Sequence, residues 1–202
     1  MFWQMPEYVP DRNLMQDFQF YHLRGYGNEN AELRTAVQKL PDPVWGVFTG
    51  LFGMAANELY VVSQSSVDLT TLPCTCLQAE PWQATARPQS MTALSRPGLY
   101  VFRRFHVARE NADELVQLSA KAWETFEAGD DYATEPVGLF RPPPDEDEVV
   151  RMQLVTWYDG FASWETSRAP AAEAVAYFKR RRDLTTTTYA VATRLVVDAH
   201  KQ

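Results

Sequence analysis

Alternating hydrophobic and polar residues divide the chain into short strands separated by a few amphipathic helices. Apolar and polar residues follow one another closely along 17–25, which predicts a strand with side chains on two faces. Apolar residues spaced three or four apart predict helices at 30–40 and 112–128, and Pro170 begins another predicted helix. Strands outnumber helices in this pattern, which favours an α+β fold.

One strand motif occurs twice along the chain. The sequence FYHLRGY at 20–26 returns in altered form as LYVFRRF at 99–105. Each copy is followed, in the same order, by a helix beginning with Glu-Asn-Ala, a strand containing Gly-Leu-Phe and two further strands. Such self-similarity indicates an internal duplication. In the first half the second helix is reduced to the short stretch 66–72.

Each copy predicts the element order of a ferredoxin-like unit, which leaves one face of its sheet bare. We therefore predict an α+β fold of two tandem ferredoxin-like repeats whose antiparallel sheets pack into an intramolecular α/β barrel with a cavity between them. The predicted parts are an N-terminal arm at 1–16, a first repeat at 17–90 and a second repeat at 91–202. Proline-rich residues 88–98 form the predicted linker.

Composition and charge narrow the choice of partners. The formal net charge of −7 provides no basic surface to neutralise phosphates, so we expect no nucleic-acid partner. No apolar run reaches the roughly 18 residues of a membrane span and the N-terminus lacks a secretory pattern, so we expect a cytoplasmic protein without a membrane partner. Four bases at 179–182 are predicted to cap the end of the last helix, with anion binding as the alternative.

Alternation sorts the side chains of the two repeated strands into two faces. The more apolar face is expected to pack against helices and carries Tyr21, Leu23, Tyr100 and Phe102. The other face is expected to line the cavity and carries His22, Arg24, Tyr26, Val101, Arg103 and Phe105.

The cavity face supplies the candidate catalytic residues. His22 is the predicted general base, because imidazole titrates near neutral pH, and Tyr26 is its predicted partner in moving a proton. Arg24 and Arg103 are costly to bury without an acceptor, so each is expected to bind either an internal carboxylate or an anionic substrate. A satisfied core histidine and a packing salt bridge are the structural alternatives.

Aromatic residues complete the predicted binding set. Trp157 and Tyr158 are adjacent, so one is expected to line the cavity and the other to support the helices. A bulge at the end of its strand would bring His106 to the cavity rim. For at least one of Trp157 and Tyr158 we expect ordinary core filling. The predicted substrate-binding residues are Arg24, Arg103, Phe105, Trp157, Tyr158 and His106, and no metal site is predicted.

These motifs resemble the dimeric α/β-barrel superfamily, and within it the NIPSNAP-like proteins. The resemblance rests on residues 21–26 with 100–105, on the Gly-Leu-Phe strands and on 154–159 leading into a helix, and it covers about 17–197. Relatives in this superfamily include cofactor-free monooxygenases, lactone isomerases, polyketide cyclases and haem-binding enzymes. The resemblance therefore implies a fold more narrowly than it implies a reaction.

We predict a metal-free small-molecule enzyme that holds a flat or anionic substrate between the sheets. Its expected acid–base reaction is an isomerisation, cyclisation, elimination or cofactor-free oxygenation. No phosphate-binding loop, hydrolase nucleophile elbow or zinc-type histidine pair occurs in the sequence. The alternatives are a non-catalytic NIPSNAP-like module for binding or oligomerisation, including a homodimer, and a haem-binding barrel with His22, His106 or His200 as axial ligand.

Overall fold

A computed structural model describes residues 16–40, 44–128, 131–168 and 172–196, without the side chains of 172–176. The predicted N-terminal arm therefore lies outside the described residues, apart from Gln16. The proline that begins the last predicted helix also lies outside them.

Eight strands and four α-helices follow one another along the described chain. The strands are β1 Asp17–Gly25, β2 Val44–Phe52, β3 Glu58–Ser63, β4 Cys74–Ala84, β5 Leu99–Ala108, β6 Thr134–Arg141, β7 Val149–Tyr158 and β8 Thr185–Leu195. The helices are α1 Ala31–Val37, α2 Ala112–Phe126, α3 Phe161–Thr166 and α4 Ala172–Asp183. Between β3 and β4 only the 3₁₀ turn Leu69–Thr71 forms, in the stretch where a reduced helix was predicted.

The strands pair antiparallel in the order β1-β3-β2-β8-β5-β7-β6-β4, and β4 pairs with β1 to close the barrel. Each half has the same internal order, β4-β1-β3-β2 and β8-β5-β7-β6. The halves join where β2 pairs with β8 and where β4 pairs with β6. The junction of β4 with β6 is short and contains two residue pairs, Gln83 with Arg141 and Ala84 with Phe140. The predicted sheet-dominant, antiparallel α+β fold is confirmed.

Aromatic rings fill the interior of this barrel. Phe102 packs against Phe48, Tyr60 and Phe20, with ring centroids 4.8, 5.1 and 6.1 Å away. A remaining interior cavity of about 10 Å³ lies beside Trp82, which is space for about one water molecule. The prediction of a ligand cavity between the sheets is wrong for the described interior, because inward-facing rings occupy that space.

Helices cover the outer face of the sheet. On one side Leu33 and Val37 of α1 pack against Tyr21 and Leu23 of β1. On the other side α2 buries its apolar stripe against β5, β6 and β7. Burial of this kind contributes roughly 25 cal/mol for each Å² of apolar surface removed from water, and it holds the strands in the register that positions their inward side chains.

The segment between the two halves closes one end of the barrel. The Leu94 N–H donates to the carbonyl of Trp45 at 2.7 Å, and the indole N–H of Trp157 donates to the carbonyl of Pro97 at 2.9 Å. Gly98 follows with φ of +147°, a conformation that favours glycine, and an added Cβ would lie 2.4 Å from the carbonyl oxygen of Tyr158. The opposite end of the barrel is left for polar side chains.

Candidate functional site

At the end of the barrel away from this segment, the inward face changes from aromatic to polar. Residues directly opposite each other on paired strands share a face, and here His22 pairs with Tyr60 while Arg104 pairs with Gln153 and Tyr189. We call this region the polar end, and its inward-facing residues are His22, Arg24, Glu58, Tyr60, Gln78, Glu80, Arg104, His106, Arg151, Gln153 and Tyr189.

His22 and Arg24 meet on one carboxylate. Glu58, only 5% exposed, accepts a hydrogen bond on Oε2 from His22 Nε2 at 2.9 Å and on Oε1 from Arg24 Nε and Nη2 at 3.0 and 2.6 Å. The Ala55 N–H adds a bond to Oε2 at 3.3 Å. Burial opposes ionisation of Glu58, but the hydrogen bonds from Arg24, His22 and Ala55 outweigh it and lower its pKa. The carboxylate is therefore charged at neutral pH and fixes the imidazole of His22.

Tyr60 connects this carboxylate cluster to the rest of the polar end. Its ring meets the imidazole of His22 edge to face, with centroids 4.9 Å apart. Burial raises the pKa of Tyr60 to about 12, which exceeds the opposing effect of the positive charge of Arg104. Tyr60 is therefore a neutral phenol beside His22.

Arg104 organises a second polar cluster. It is buried, donates to Gln153 Oε1 and Gln78 Oε1 at 3.1 Å each, and lies 3.6 Å from Glu80 Oε2. Glu80 also pairs with Arg151, while its Oε2 atom has no hydrogen-bond partner among the described residues. The buried Arg104 is therefore stabilised by two amide oxygens and by the nearby carboxylate of Glu80, whose Oε2 atom accepts no hydrogen bond from the described residues.

The predicted faces are correct for β1 and wrong for β5. Tyr100 and Phe102 lie inside the barrel, whereas Val101 and Phe105 pack towards the helices. Arg104 lies opposite Gln153, which pairs with Phe140, just as His22 lies opposite Tyr60, which pairs with Phe48, so the structural counterpart of His22 is Arg104 and not Val101. A slip by an odd number of residues moves every side chain of a strand to the other face.

The remaining predicted residues are dispersed. Tyr26 is 75% exposed beyond the end of β1. Trp157 points into the barrel and Tyr158 towards the helices, which is the opposite-face arrangement expected of adjacent residues. Alternation along β5 places His106 on the inward face next to Arg104, so no bulge is needed to bring it there. The structure thus brings His22, Arg24 and His106 to the polar end, and leaves Arg103, Phe105 and Tyr158 on the outside.

Sequence reasoning missed Glu58, Tyr60 and Arg104. Glu58 follows the turn between two strands, where an acidic residue is ordinarily solvated, and Tyr60 has the appearance of core filling. The adjacent pair Arg103 and Arg104 was the available signal, because only one of two neighbouring strand residues can face the interior.

A larger open groove of about 710 Å³ lies at the other end of the barrel, beside the segment between the halves. Its lining includes the ion pair of Arg87 with Glu127, whose Nη2 and Oε2 atoms lie 2.9 Å apart. Among the described residues, neither histidine nor cysteine lines it. Within the described parts of the chain, no group of three or more metal-ligating side chains occurs, and no helix has the length and apolar character needed to cross a membrane.

Comparisons with known proteins identify the fold. No family model matches the sequence, and no curated protein matches it. Similar solved structures include an anthrone oxidase-like protein, with a TM-score of 0.57, 12% identity and coverage of 93% of this chain and 94% of that chain. A monooxygenase-like protein from Listeria innocua has a TM-score of 0.52 and 9% identity, over 89% of this chain and 94% of that chain. A haem-degrading enzyme from Listeria monocytogenes has a TM-score of 0.51 and 10% identity, over 87% of this chain and 98% of that chain. The chain shares the ferredoxin-like fold of dimeric α/β-barrel proteins, and at these identities the likeness shows the fold alone.

Proposed function

We propose that the protein is a small-molecule enzyme that acts by acid–base chemistry at the polar end. The observation that carries this proposal is the 2.9 Å contact between His22 Nε2 and the buried carboxylate of Glu58. When the Nε2–H group donates a hydrogen bond to Glu58, Nδ1 carries the free lone pair and is the basic atom of the ring. The carboxylate then stabilises the imidazolium that forms as Nδ1 accepts a proton, which is the arrangement of an oriented general base.

The substrate of this proposal is a flat organic anion that reaches the polar end from solvent. The interior is filled, so the ligand contacts the outer rim, where His22 is 21% exposed and Arg24 is half exposed. Arg24 attracts the anionic group, and the neutral Tyr60 phenol beside His22 limits where the reacting atom can lie. Loss of a proton to His22 is the common first step of isomerisation, elimination and cofactor-free oxygenation, and the anthrone oxidase-like and monooxygenase-like neighbours support oxygenation among these.

The described residues do not fit a haem. The interior cavity of about 10 Å³ is far too small for a macrocycle, and the Nε2 atom of His22 already pairs with Glu58. The larger groove has no histidine in its lining. No step of the proposed chemistry therefore uses haem, although one structural neighbour is a haem-degrading enzyme.

The filled interior also favours a second candidate, a non-catalytic NIPSNAP-like module for binding or self-association. Phe52 and Phe161 form an edge-to-face pair with centroids 5.7 Å apart, and both rings are exposed. An exposed aromatic pair of this kind suits a protein–protein contact, such as a homodimer interface.

We further propose that the two halves are tandem copies of one ferredoxin-like unit, divided as 17–90 and 91–202 in a cytoplasmic protein. The support is the repeated strand order. In each half the first strand lies between the fourth and the third strands, and the second strand pairs with the other side of the third. Corresponding inward positions carry His22 in one half and Arg104 in the other, so the proposed chemistry belongs to the first half alone.

The enzyme proposal is tested with His22→Gln, which removes the base and keeps an amide for Glu58. Wild-type protein is incubated in D₂O with hydroxyaromatic acids and enolisable keto acids, while NMR follows deuterium uptake and an electrode follows oxygen consumption. We expect the variant to lose about 10²- to 10⁴-fold in rate, as general-base removal does. Gln19→Ala, on the outward face of the same strand, is the control and should retain the rate.

Two results would contradict the proposal. One is an active wild type whose rate survives His22→Gln. The other is no turnover of any compound, together with concentration-dependent dimerisation that Phe161→Ala abolishes, which would favour the binding module.

A further inference from the structure

Two arginines lie outside the barrel between β5 and α4 and have no acceptor among the residues that the structure describes. Arg181 is only 9% exposed, and its guanidinium carbon lies 5.2 Å from the centroid of the Phe105 ring. Arg103 shares the outward face of β5 with Phe105 and is partly buried. Neither guanidinium has a hydrogen bond or an ion pair with any described residue. Such burial is costly for a cation unless an anion compensates it.

The positive charges of these two arginines repel each other, and a third arginine, Arg168, lies near enough to add to the repulsion. Burial, followed by repulsion from Arg103, lowers the pKa of Arg181 to about 10, so its side chain is still charged at neutral pH. Burial also lowers the pKa of Arg103, and Arg168 adds to the repulsion. The side chain of Tyr158 lies near enough to both arginines to interact with them electrostatically. Although the formal net charge of the chain is −7, positively charged side chains lie close together in this partly buried region between β5 and α4.

Helix capping does not account for this arrangement. Arg180 lies on the exposed side of α4 and forms two hydrogen bonds with Glu114, at 2.8 and 3.1 Å, while Arg182 is exposed to solvent. These two residues are free to interact with the end of the helix dipole or with carboxylates. Arg181 instead faces the sheet, where no carboxylate of the described residues meets it.

We propose that Arg103 and Arg181 bind a tetrahedral oxyanion of the phosphoryl type, with the Tyr158 hydroxyl as a third donor. The planar guanidinium group presents paired N–H donors that match two oxygens of one anion, and two such groups from β5 and α4 suit a doubly charged ligand. The bound anion would link the last helix to the sheet. This site lies on the outward face of β5, whereas the proposed acid–base site lies on the inward face, so the two stand or fall separately.

The site is tested by thermal unfolding of the full chain in sodium phosphate, compared with sodium chloride at equal ionic strength. Because a ligand that binds only the folded state shifts the unfolding equilibrium, Tm should rise by about 5–10 °C at a phosphate concentration 100-fold above Kd. Glycerol 2-phosphate is measured in parallel. A larger shift with this ester than with phosphate would identify a phosphate monoester as the preferred source, and the reverse would identify inorganic phosphate.

Variants separate a specific site from general salt effects. Arg181→Met keeps the aliphatic stem and should abolish the phosphate-specific rise in Tm, whereas Arg182→Met, with the same loss of charge on the same helix, should retain it. Arg103→Lys, which keeps the charge but loses the paired donors, is the second variant if Arg181→Met does not fold, and it should weaken binding at least tenfold. Equal effects of chloride and phosphate, or a phosphate response that survives both site variants, would overturn the proposal.

Discussion

The carboxylate of Glu58 holds the two polar residues that the sequence singled out on β1. Arg24 was expected to bind either an internal carboxylate or an anionic substrate, and in the structure it has the carboxylate. The acceptor could not be chosen from the sequence, because Glu58 becomes a partner only through the register of β1 with β3. Arg103 has neither partner among the described residues, since the true register turns it away from the interior.

Replacement of this carboxylate by an amide, Glu58→Gln, should reduce the free energy of unfolding at pH 7 by about 1–3 kcal/mol, because the hydrogen bonds that Arg24, His22 and Ala55 donate to the carboxylate are weakened or lost. The pKa of Glu58 is lowered in the folded state, so the stability it contributes is present above its unfolded value of 4.5 and is lost as pH falls through the folded pKa. The difference between wild type and variant should therefore shrink below about pH 4.5. Urea denaturation across pH measures it.

Glu29→Gln, at an exposed carboxylate before α1, is the matched control and should change stability by less than about 0.5 kcal/mol. A difference between Glu58→Gln and wild type that stays constant from pH 7 to pH 3 would show that ionisation of Glu58 does not stabilise the fold.

At the scale of elements, the sequence pattern located most strands and helices. It did not determine which side chains of a strand point into the barrel and which point towards the helices. β1 has the predicted bounds and α2 ends two residues before its predicted end, since alternation and helical spacing are local properties. The facing of β5 was wrong, because large apolar residues occupy both of its faces and the arginine on its outer face is covered by α4. Pairing partners along the chain, which fix a face, are not local.

The junction of the linker with β5 depends on one glycine. Gly98→Ala should destabilise the protein by at least about 2 kcal/mol, because a side chain is strained at its φ of +147° and its Cβ would meet the Tyr158 carbonyl oxygen. Gly160→Ala is the control, since its Cβ would have no atom within 4 Å and its φ of −174° suits any residue. Thermal unfolding compares the two, and equal Tm values would contradict the role given to Gly98.

For the whole molecule, the order of elements was enough to indicate a sheet-dominant α+β fold, whereas it did not decide between an enclosed cavity and an interior filled by side chains. Whether a barrel of this kind encloses a cavity depends on how rings from different strands interdigitate. Phe20, Phe48, Tyr60 and Phe102 come from four strands, and nothing in their spacing along the chain shows that they meet. Aromatic residues on the sequence are equally compatible with a cavity wall and a solid core.

Because Phe102 contacts three other rings inside the barrel, Phe102→Ala should lower the free energy of unfolding by about 3–5 kcal/mol. The control substitution Phe161→Ala, at an exposed ring, should lower the free energy of unfolding by less than about 1 kcal/mol. Chemical denaturation of both variants provides the comparison. If the two substitutions cost the same, the rings do not form a packed core in solution.

The two junctions between the halves also set the order of events on the ribosome. When the first half has emerged, β2 and β4 are its outermost strands, and their partners β8 and β6 have not yet been made. At about 5–20 residues per second, translation of the second half takes on the order of 10 s. During that interval a nascent sheet presents two unpaired edges and an aromatic face to its surroundings. Rapid delivery of the last strand, or protection by a chaperone until it arrives, is therefore a requirement that this closed topology places on the cell.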